Sequence, residues 1–178
     1  MLTDLVQIRR LGEKKRDENF RLRMHLKRRN YQERRLVRIA QDIEDQIDCT
    51  ACANCCRVAT VKVTERDVEK LARALGVSRQ RLLSEYTQED PADESARDRP
   101  YRQAEGRVLK RTQAGCVFLQ GNLCSVYEAR PHTCAIFPHL TRGAGSLVSR
   151  LWQMIDRACY CPIVYNTLEA WKTEVGFR

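Results

Sequence analysis

No apolar run in this 178-residue chain approaches the roughly 18 consecutive apolar residues that a membrane-spanning helix requires. Charged residues make up 31% of the sequence and interrupt the hydrophobic positions throughout. Residues 1–10 also lack the basic segment followed by an apolar segment that is typical of a secretory signal. The sequence therefore predicts no membrane span and a cytoplasmic location, where clustered cysteines are more often metal ligands than disulfides.

Other signals of function are missing as well. The chain contains no glycine-rich G-x-G-x-x-G loop that would hold a nucleotide or a methyl donor. No Ser/His/Asp set or carboxylate pair can be identified without a fold, so the catalytic residues are unknown at this point. Basic residues exceed acidic ones and give a net charge of +9, but both kinds are mixed along the chain. Such mixing is typical of solvated helix faces, and we do not expect nucleic acid as a partner.

Residues 1–48 are predicted to form a charged helical extension. They are rich in good helix formers and contain no proline. We expect one long helix from about residue 13 to about residue 47, either continuous or broken near Asn30. This helix either packs on the rest of the chain or binds a protein partner. Its apolar positions at helical spacing are Leu36, Ile39, Ala40, Ile43 and Ile47.

The remaining residues, 49–178, are predicted to form a metal-binding domain that is mainly α-helical with a small β-hairpin. Thr64 and Asp67 have the spacing of a capping box, and Gly76 is placed to end the same helix. The other predicted elements are a short strand at 61–63, a helix after Ser78, a loop at 88–107 and a hairpin of 108–111 with 116–119. Two further helices are predicted near the C-terminus. The first carries the apolar residues Leu147, Leu151 and Met154, and the second carries Leu168, Trp171 and Val175.

The dominant feature of the sequence is a run of four cysteines, Cys49, Cys52, Cys55 and Cys56. A packed core does not need that density, because a buried cysteine is only a small hydrophobe. Two residues between successive cysteines let a tight turn aim two sulfurs at one point, as zinc and iron–sulfur sites require. In an extended backbone Cys55 and Cys56 would point to opposite sides, so we expect one of them to face a second site or none.

Five more cysteines follow this run. Turn-forming residues precede three of them and would let loops bring remote thiols to the first cysteines. Only Tyr160 separates the last two, so we expect at most one of that pair to be a ligand. His132 and His139 are either further ligands or supporting residues, since imidazole suits zinc and iron. The predicted metal ligands are Cys49, Cys52, Cys55, Cys56, Cys116, Cys124, Cys134 and Cys161, with Cys159 left open.

Taken in order, these motifs resemble a known family. The first run is followed by Cys116-Val117-Phe118-Leu119, by Cys124-Ser125-Val126-Tyr127-Glu128-Ala129-Arg130-Pro131 and by Cys134-Ala135-Ile136-Phe137-Pro138. This order is similar to the YkgJ-like CxxCxxCC cysteine-cluster family, whose members are described as zinc- or iron-chelating domains and include relatives of flagellin lysine N-methylase. The resemblance covers about residues 49–140 and implies that the seven cysteines of these motifs bind metal.

Arg130 is the predicted cofactor-binding residue. Pro131 fixes its own φ and restrains Arg130 to an extended conformation, which would aim the chain so that Cys134 reaches the other thiols. The permanently charged guanidinium would then offer charge-assisted hydrogen bonds to thiolates. The alternative is a surface arginine beside an ordinary turn.

Three functions remain open from the sequence. The cysteine spacing favours an iron–sulfur cluster, or iron or zinc ions, in a redox or group-transfer role. The alternative is a zinc-stabilised module that binds protein or RNA through the basic helix. A metal chaperone or sensor would use the surplus thiols as exchangeable ligands. For an enzyme, the motifs and the resemblance indicate an iron–sulfur oxidoreductase or a methyltransferase-related protein.

Overall fold

The computed structural model describes residues 1–29, 31–93 and 104–177. Within these ranges the chain is mainly α-helical, and its strands form small two-stranded antiparallel sheets, which confirms the predicted fold class. The elements in chain order are α1 (Leu5–Lys14), α2 (Arg16–Arg28), α3 (Glu33–Glu44), α4 (Cys49–Cys52), α5 (Asn54–Val58), α6 (Glu65–Leu75), α7 (Arg79–Tyr86), β1 (Thr87–Glu89), β2 (Arg107–Leu109), β3 (Arg111–Thr112), β4 (Gly115–Cys116), β5 (Leu119–Gln120), β6 (Leu123–Cys124), a 3-10 turn (Tyr127–Ala129), α8 (His132–Ala135), α9 (Leu147–Arg157) and α10 (Pro162–Glu174).

The chain divides into two compact units. The first comprises Met1–Cys49 and Ile136–Arg178, and the second comprises Thr50–Ala135. The first unit thus joins the N-terminal segment with the C-terminal segment. Whether 1–48 and 49–178 act as separate functional domains stays a prediction. No helix in the described ranges has both the length and the apolar character to cross a bilayer.

The N-terminal segment forms three helices rather than the single long helix expected. α1 begins earlier because the Asp4 carboxylate caps it, accepting a hydrogen bond from the Gln7 backbone N–H at 2.7 Å. Lys15 leaves the helical conformation (φ −97°, ψ 11°) and separates α1 from α2. Arg29 is extended (φ −120°, ψ 146°) and ends α2. The break considered near Asn30 falls on a residue outside the described ranges.

A hydrophobic core occupies the first unit. Trp171 of α10 is fully buried, and its Nε1–H donates to the Leu36 carbonyl oxygen of α3 at 2.7 Å. Lys172 is only 6% exposed, and its charge is balanced by Glu18 at 2.6 Å and Glu169 at 2.7 Å. The stripe predicted for α9 is confirmed, because Leu147, Leu151 and Met154 are buried in this core. In α10, Leu168 and Trp171 are buried as predicted, whereas Val175 follows the end of the helix and is only partly buried.

In the second unit, some of the elements predicted from local sequence are present in full and others only in a shorter form. Thr64 and Asp67 form the predicted capping box, and Gly76 ends α6 at φ 65°. The strand expected at 61–63 reduces to a single bridge between Lys62 and Val108. The predicted hairpin is present in a shorter form, in which Arg111 pairs with Cys116 and Thr112 with Gly115.

The prediction of a loop over residues 88–107 was wrong at both ends. β1 pairs with β2 there, with Thr87 opposite Leu109 and Glu89 opposite Arg107. The polar composition concealed this pairing, because short strands take their stability from the packing of cross-strand neighbours. The middle of the predicted loop, residues 94–103, lies outside the described ranges.

We expect Trp171→Ala to lower the free energy of unfolding by about 3–5 kcal/mol, because the change empties a large buried site. The loss should appear as a lower midpoint in urea unfolding followed by far-UV circular dichroism. Trp152→Ala is the matched control, since that side chain is 58% exposed and its loss should cost about 1 kcal/mol or less. Equal midpoints for the two variants would contradict this packing of α10.

Candidate metal centre

The first cysteine run folds as two short helical turns. α4 ends at Cys52, Ala53 adopts a left-handed conformation (φ 46°, ψ 16°), and α5 restarts the helix with Cys55 and Cys56. The expectation of an extended backbone at Cys55 and Cys56 is therefore wrong. The Cys55 thiol donates a hydrogen bond to the sulfur of Cys56, so the two sulfurs lie on a common side.

The β3–β4 hairpin lies directly against α5. Gly115 has φ 132°, and a Cβ atom built there would lie 2.6 Å from the Cys56 carbonyl oxygen and 2.9 Å from the Arg57 Cα. Only glycine permits this approach of backbone to backbone. Cys116, the next residue, is thereby brought to the cysteines of the first run.

Arg57 connects the first cysteine run to the β5–β6 hairpin that carries Cys124. Its Nη1 donates to the Cys52 carbonyl oxygen at 3.1 Å, and its Nη2 donates to the Gly121 carbonyl oxygen at 3.0 Å and to Asn122 Oδ1. Asn122 Nδ2 donates in return to the Ala51 carbonyl oxygen at 3.0 Å. Sequence reasoning missed Arg57, because backbone oxygens of remote residues leave no motif.

Arg111 makes a second connection of the same kind. Its Nη1 donates to the Ala59 carbonyl oxygen at 2.9 Å, and its Nη2 donates to the Arg57 carbonyl oxygen. The strand β3 is thus tied to the end of α5. Both arginines therefore bond to main-chain oxygens of the segments that carry the cysteines.

Cys134 reaches the site on α8. The Cys134 N–H donates to the Pro131 carbonyl oxygen at 2.9 Å, which closes a tight turn. Arg130 has φ −54° and ψ 147°, so the extended conformation predicted before Pro131 is confirmed. The Arg130 guanidinium lies 3.7 Å above the Tyr127 ring and donates to the Tyr127 carbonyl oxygen at 2.9 Å.

Neighbouring groups change the acidity of two thiols in opposite directions. The hydrogen bond from Cys55, assisted by the Arg57 guanidinium, lowers the pKa of Cys56 to about 6 although burial opposes it. Burial raises the pKa of Cys134 to about 12, and the charges of Cys116, Cys56 and Cys124 add to this rise. Cys56 is therefore a thiolate at neutral pH, whereas Cys134 keeps its proton.

Two further thiols respond to the same neighbours. Burial raises the pKa of Cys116, and the charges of Cys56 and Cys124 add to the effect. Burial also raises the pKa of Cys124, while the Arg130 guanidinium acts in the opposite direction. These mutual effects define a group that we name the cysteine cluster: Cys55, Cys56, Cys116, Cys124 and Cys134.

The structure does not bring every predicted ligand into this cluster. Cys49 is exposed at the start of α4, and Cys52 lies at the end of the same turn. Cys161 is buried in the core of the first unit and precedes α10, and the sulfur of Cys159 contacts the Ile155 carbonyl oxygen at 3.8 Å. His139 has φ 69° and its ring contacts Phe137. The ligand roles of Cys49, Cys52 and Cys161 stay predictions, and the choice between ligand and supporting residue for His132 and His139 stays open.

Comparison with known proteins identifies the family. The model of the CxxCxxCC family, described as a "Putative zinc- or iron-chelating domain", matches residues 48–162. The chain belongs to the CxxCxxCC family. No curated protein and no solved structure matches this chain. The family resemblance seen in the sequence is thereby confirmed, while the link to flagellin lysine N-methylase stays a prediction.

The cysteine cluster of this CxxCxxCC protein fits a soft metal by its chemistry, since thiolate is the preferred ligand of zinc and of iron in iron–sulfur centres. Within residues 1–29, 31–93 and 104–177, however, no three Cys, His, Asp or Glu side chains already converge closely enough to hold an ion. Both observations hold together if metal binding completes the site, because the thiols that are still protonated must then lose their protons and rearrange.

We expect Gly115→Ala to lower the free energy of unfolding by about 1–3 kcal/mol, because its Cβ would overlap the backbone of α5. It should also weaken Zn²⁺ binding, since Cys116 moves with the hairpin. Gly121→Ala is the matched control: its φ of 61° is also left-handed, but nothing lies within 4 Å of its Cβ position. Urea unfolding and competition with a chromophoric chelator measure both effects. If the two variants bind Zn²⁺ equally, the close approach of β4 does not matter.

Proposed function

We propose that the cysteine cluster binds metal through thiolates, as an iron–sulfur cluster or as iron or zinc ions, for a redox or group-transfer role in the cytoplasm. The observation that carries this proposal is the meeting of five thiols from α5, β4, β6 and α8 in one compact unit. Membership of a family described as zinc- or iron-chelating supports the same conclusion.

The charges around the cluster also favour a bound cation. Burial, first, and the charges of neighbouring thiolates raise the pKa of Cys134, and a bound cation would offset both effects. Cys56, already a thiolate at neutral pH, is the natural first ligand. The residues that would hold the metal are Cys55, Cys56, Cys116, Cys124 and Cys134, with Cys49 and Cys52 as further candidates. An iron–sulfur cluster would supply electron transfer, and zinc would supply folding energy.

The alternative is a zinc-stabilised module that binds protein or RNA. The observation in its favour is the brevity of β3, β4, β5 and β6, which have two residues each and offer few ladder hydrogen bonds. A unit built on such strands would gain much of its stability from a structural metal. The basic helices α2 and α3 would then be the candidate contact surface, where our sequence analysis expected a protein partner.

Purification without oxygen distinguishes these possibilities. We expect a brown protein that contains iron and acid-labile sulfide, because a thiolate-rich site suits an iron–sulfur cluster. A colourless protein that contains zinc would favour the alternative. Elemental analysis combined with a thiol count measures the metal content. A protein that contains neither metal and cannot be reconstituted with either would contradict the proposed function.

Two cysteine variants serve as internal controls in this purification. Cys134→Ser should lose most of the metal, since a hydroxyl is a poor substitute for a thiolate. Cys159→Ser should keep it, because that residue belongs to the first compact unit and its sulfur contacts Ile155. Equal metal content in both variants would remove Cys134 from the ligand set.

We propose that Arg130 supports the metal centre through Cys124, whose pKa its guanidinium lowers against the effect of burial. Arg130→Ala should weaken metal binding by about fivefold or less, because a partly exposed charge contributes about 1 kcal/mol at most. Arg130→Lys keeps the charge but loses the planar contact with Tyr127, and we expect an intermediate effect. Metal affinity and reduction potential are the readouts. Wild-type values in both variants would leave Arg130 as a surface residue.

A further inference from the structure

The carboxylate of Asp67 bonds to two separate segments of the second unit. Its Oδ2 accepts hydrogen bonds from the Thr64 N–H at 2.9 Å and from the Thr64 hydroxyl at 2.7 Å, which completes the capping box of α6. Its Oδ1 accepts a hydrogen bond from the His132 N–H at 2.8 Å. The side chain is only 5% exposed, so water does not compete strongly for either oxygen.

The second of these bonds acts on a segment that carries a cluster cysteine. His132 begins α8, and Cys134 follows two residues later. The chain just before α8 already packs on α6, because Val126 and Ala129 share a hydrophobic core with Val68 and Leu71. The hydrogen bond from the His132 N–H to Asp67 adds a polar contact between α6 and the turn that carries Cys134.

We propose that Asp67 is a positioning residue for the metal centre, which fixes the start of α8 against α6 and so sets where the Cys134 sulfur lies. The proposal rests on the proposed function and adds a residue outside the cysteine motifs. A single carboxylate would therefore couple the N-terminus of α6 to the turn that carries Cys134. Partners outside the ligand shell that orient metal ligands in this way typically change metal affinity by about 10–100-fold.

Asp67 can act on the site by its charge as well as by its position. Burial, chiefly, and nearby negative charges that include Asp67 raise the pKa of Cys134. Removal of the hydrogen bond from the His132 N–H, with the Asp67 carboxylate left in place, therefore separates position from charge.

Four variants isolate the bond between Asp67 and His132. Asp67→Ala removes the carboxylate, and Thr64→Ala removes the hydroxyl of the capping box while the bond to His132 remains. His132→Pro removes the N–H donor together with the imidazole, and proline is tolerated at the first position of a helix. His132→Ala keeps that N–H and removes the imidazole. The last two form a matched pair that leaves α6 and the charge of Asp67 unchanged.

Titration of the metal-free full chain with Co²⁺ alone, followed by competition with Zn²⁺, is the measurement. The thiolate-to-cobalt absorption band reports the ligand set, and far-UV circular dichroism reports the helices. We expect Asp67→Ala and His132→Pro to weaken binding by about tenfold or more and to alter the band. Thr64→Ala and His132→Ala should bind within about twofold of the wild type. If Asp67→Ala does not fold, His132→Pro alone still tests the proposal.

The possible failures are distinguishable. Wild-type protein that binds neither cobalt, zinc nor iron would overturn the proposed function and this inference with it. Metal binding by the wild type that is unchanged or tighter in Asp67→Ala and His132→Pro would overturn the positioning role alone. An equal loss in His132→Ala and His132→Pro would assign the effect to the imidazole. An equal loss in Thr64→Ala and Asp67→Ala, with none in His132→Pro, would assign it to the cap of α6.

Discussion

Hydrogen bonds from Arg57 to backbone oxygens hold the first cysteine run against the hairpin that carries Cys124. The position of Cys55 and Cys56 depends on this connection, because α5 is only five residues long and such a short helix is not stable by itself. The same guanidinium helps to lower the pKa of Cys56. One side chain thus supplies both the geometry that gathers the thiols and part of the positive charge that makes their proximity tolerable.

The thiols of the cysteine cluster differ in pKa, and this difference suits a site whose ligand set forms only when the metal binds. Cys56 is ready to bind as a thiolate, whereas Cys134 must lose a proton in surroundings that oppose the loss. A cation bound first by the more acidic thiol would lower the pKa values of the others, because its charge outweighs their mutual repulsion. Metal binding and deprotonation are then one coupled process, as in metal sites that are not preformed.

Sequence patterns predicted the features that depend on neighbouring residues. The capping box of Thr64 and Asp67, the left-handed Gly76 and the buried stripe of α9 follow from local spacing, and all are present. The breaks at Lys15 and Ala53 could not be predicted, because neither residue is a helix breaker and tertiary packing overrides propensity there. The hydrogen bonds of Arg57 to main-chain oxygens could not be predicted either, because every residue carries such an oxygen.

The family match covers more than the thiols. It continues to residue 162, through α9 and up to the start of α10, which belong to the helical first unit. Cys161 lies in this part, buried in the core where Pro162 opens α10. Burial in this core suits a cysteine as a small hydrophobe, and the ligand role expected for Cys161 stays a prediction. The matched region therefore comprises the cysteine cluster together with helical segments, and membership of the family does not by itself make every cysteine within it a ligand.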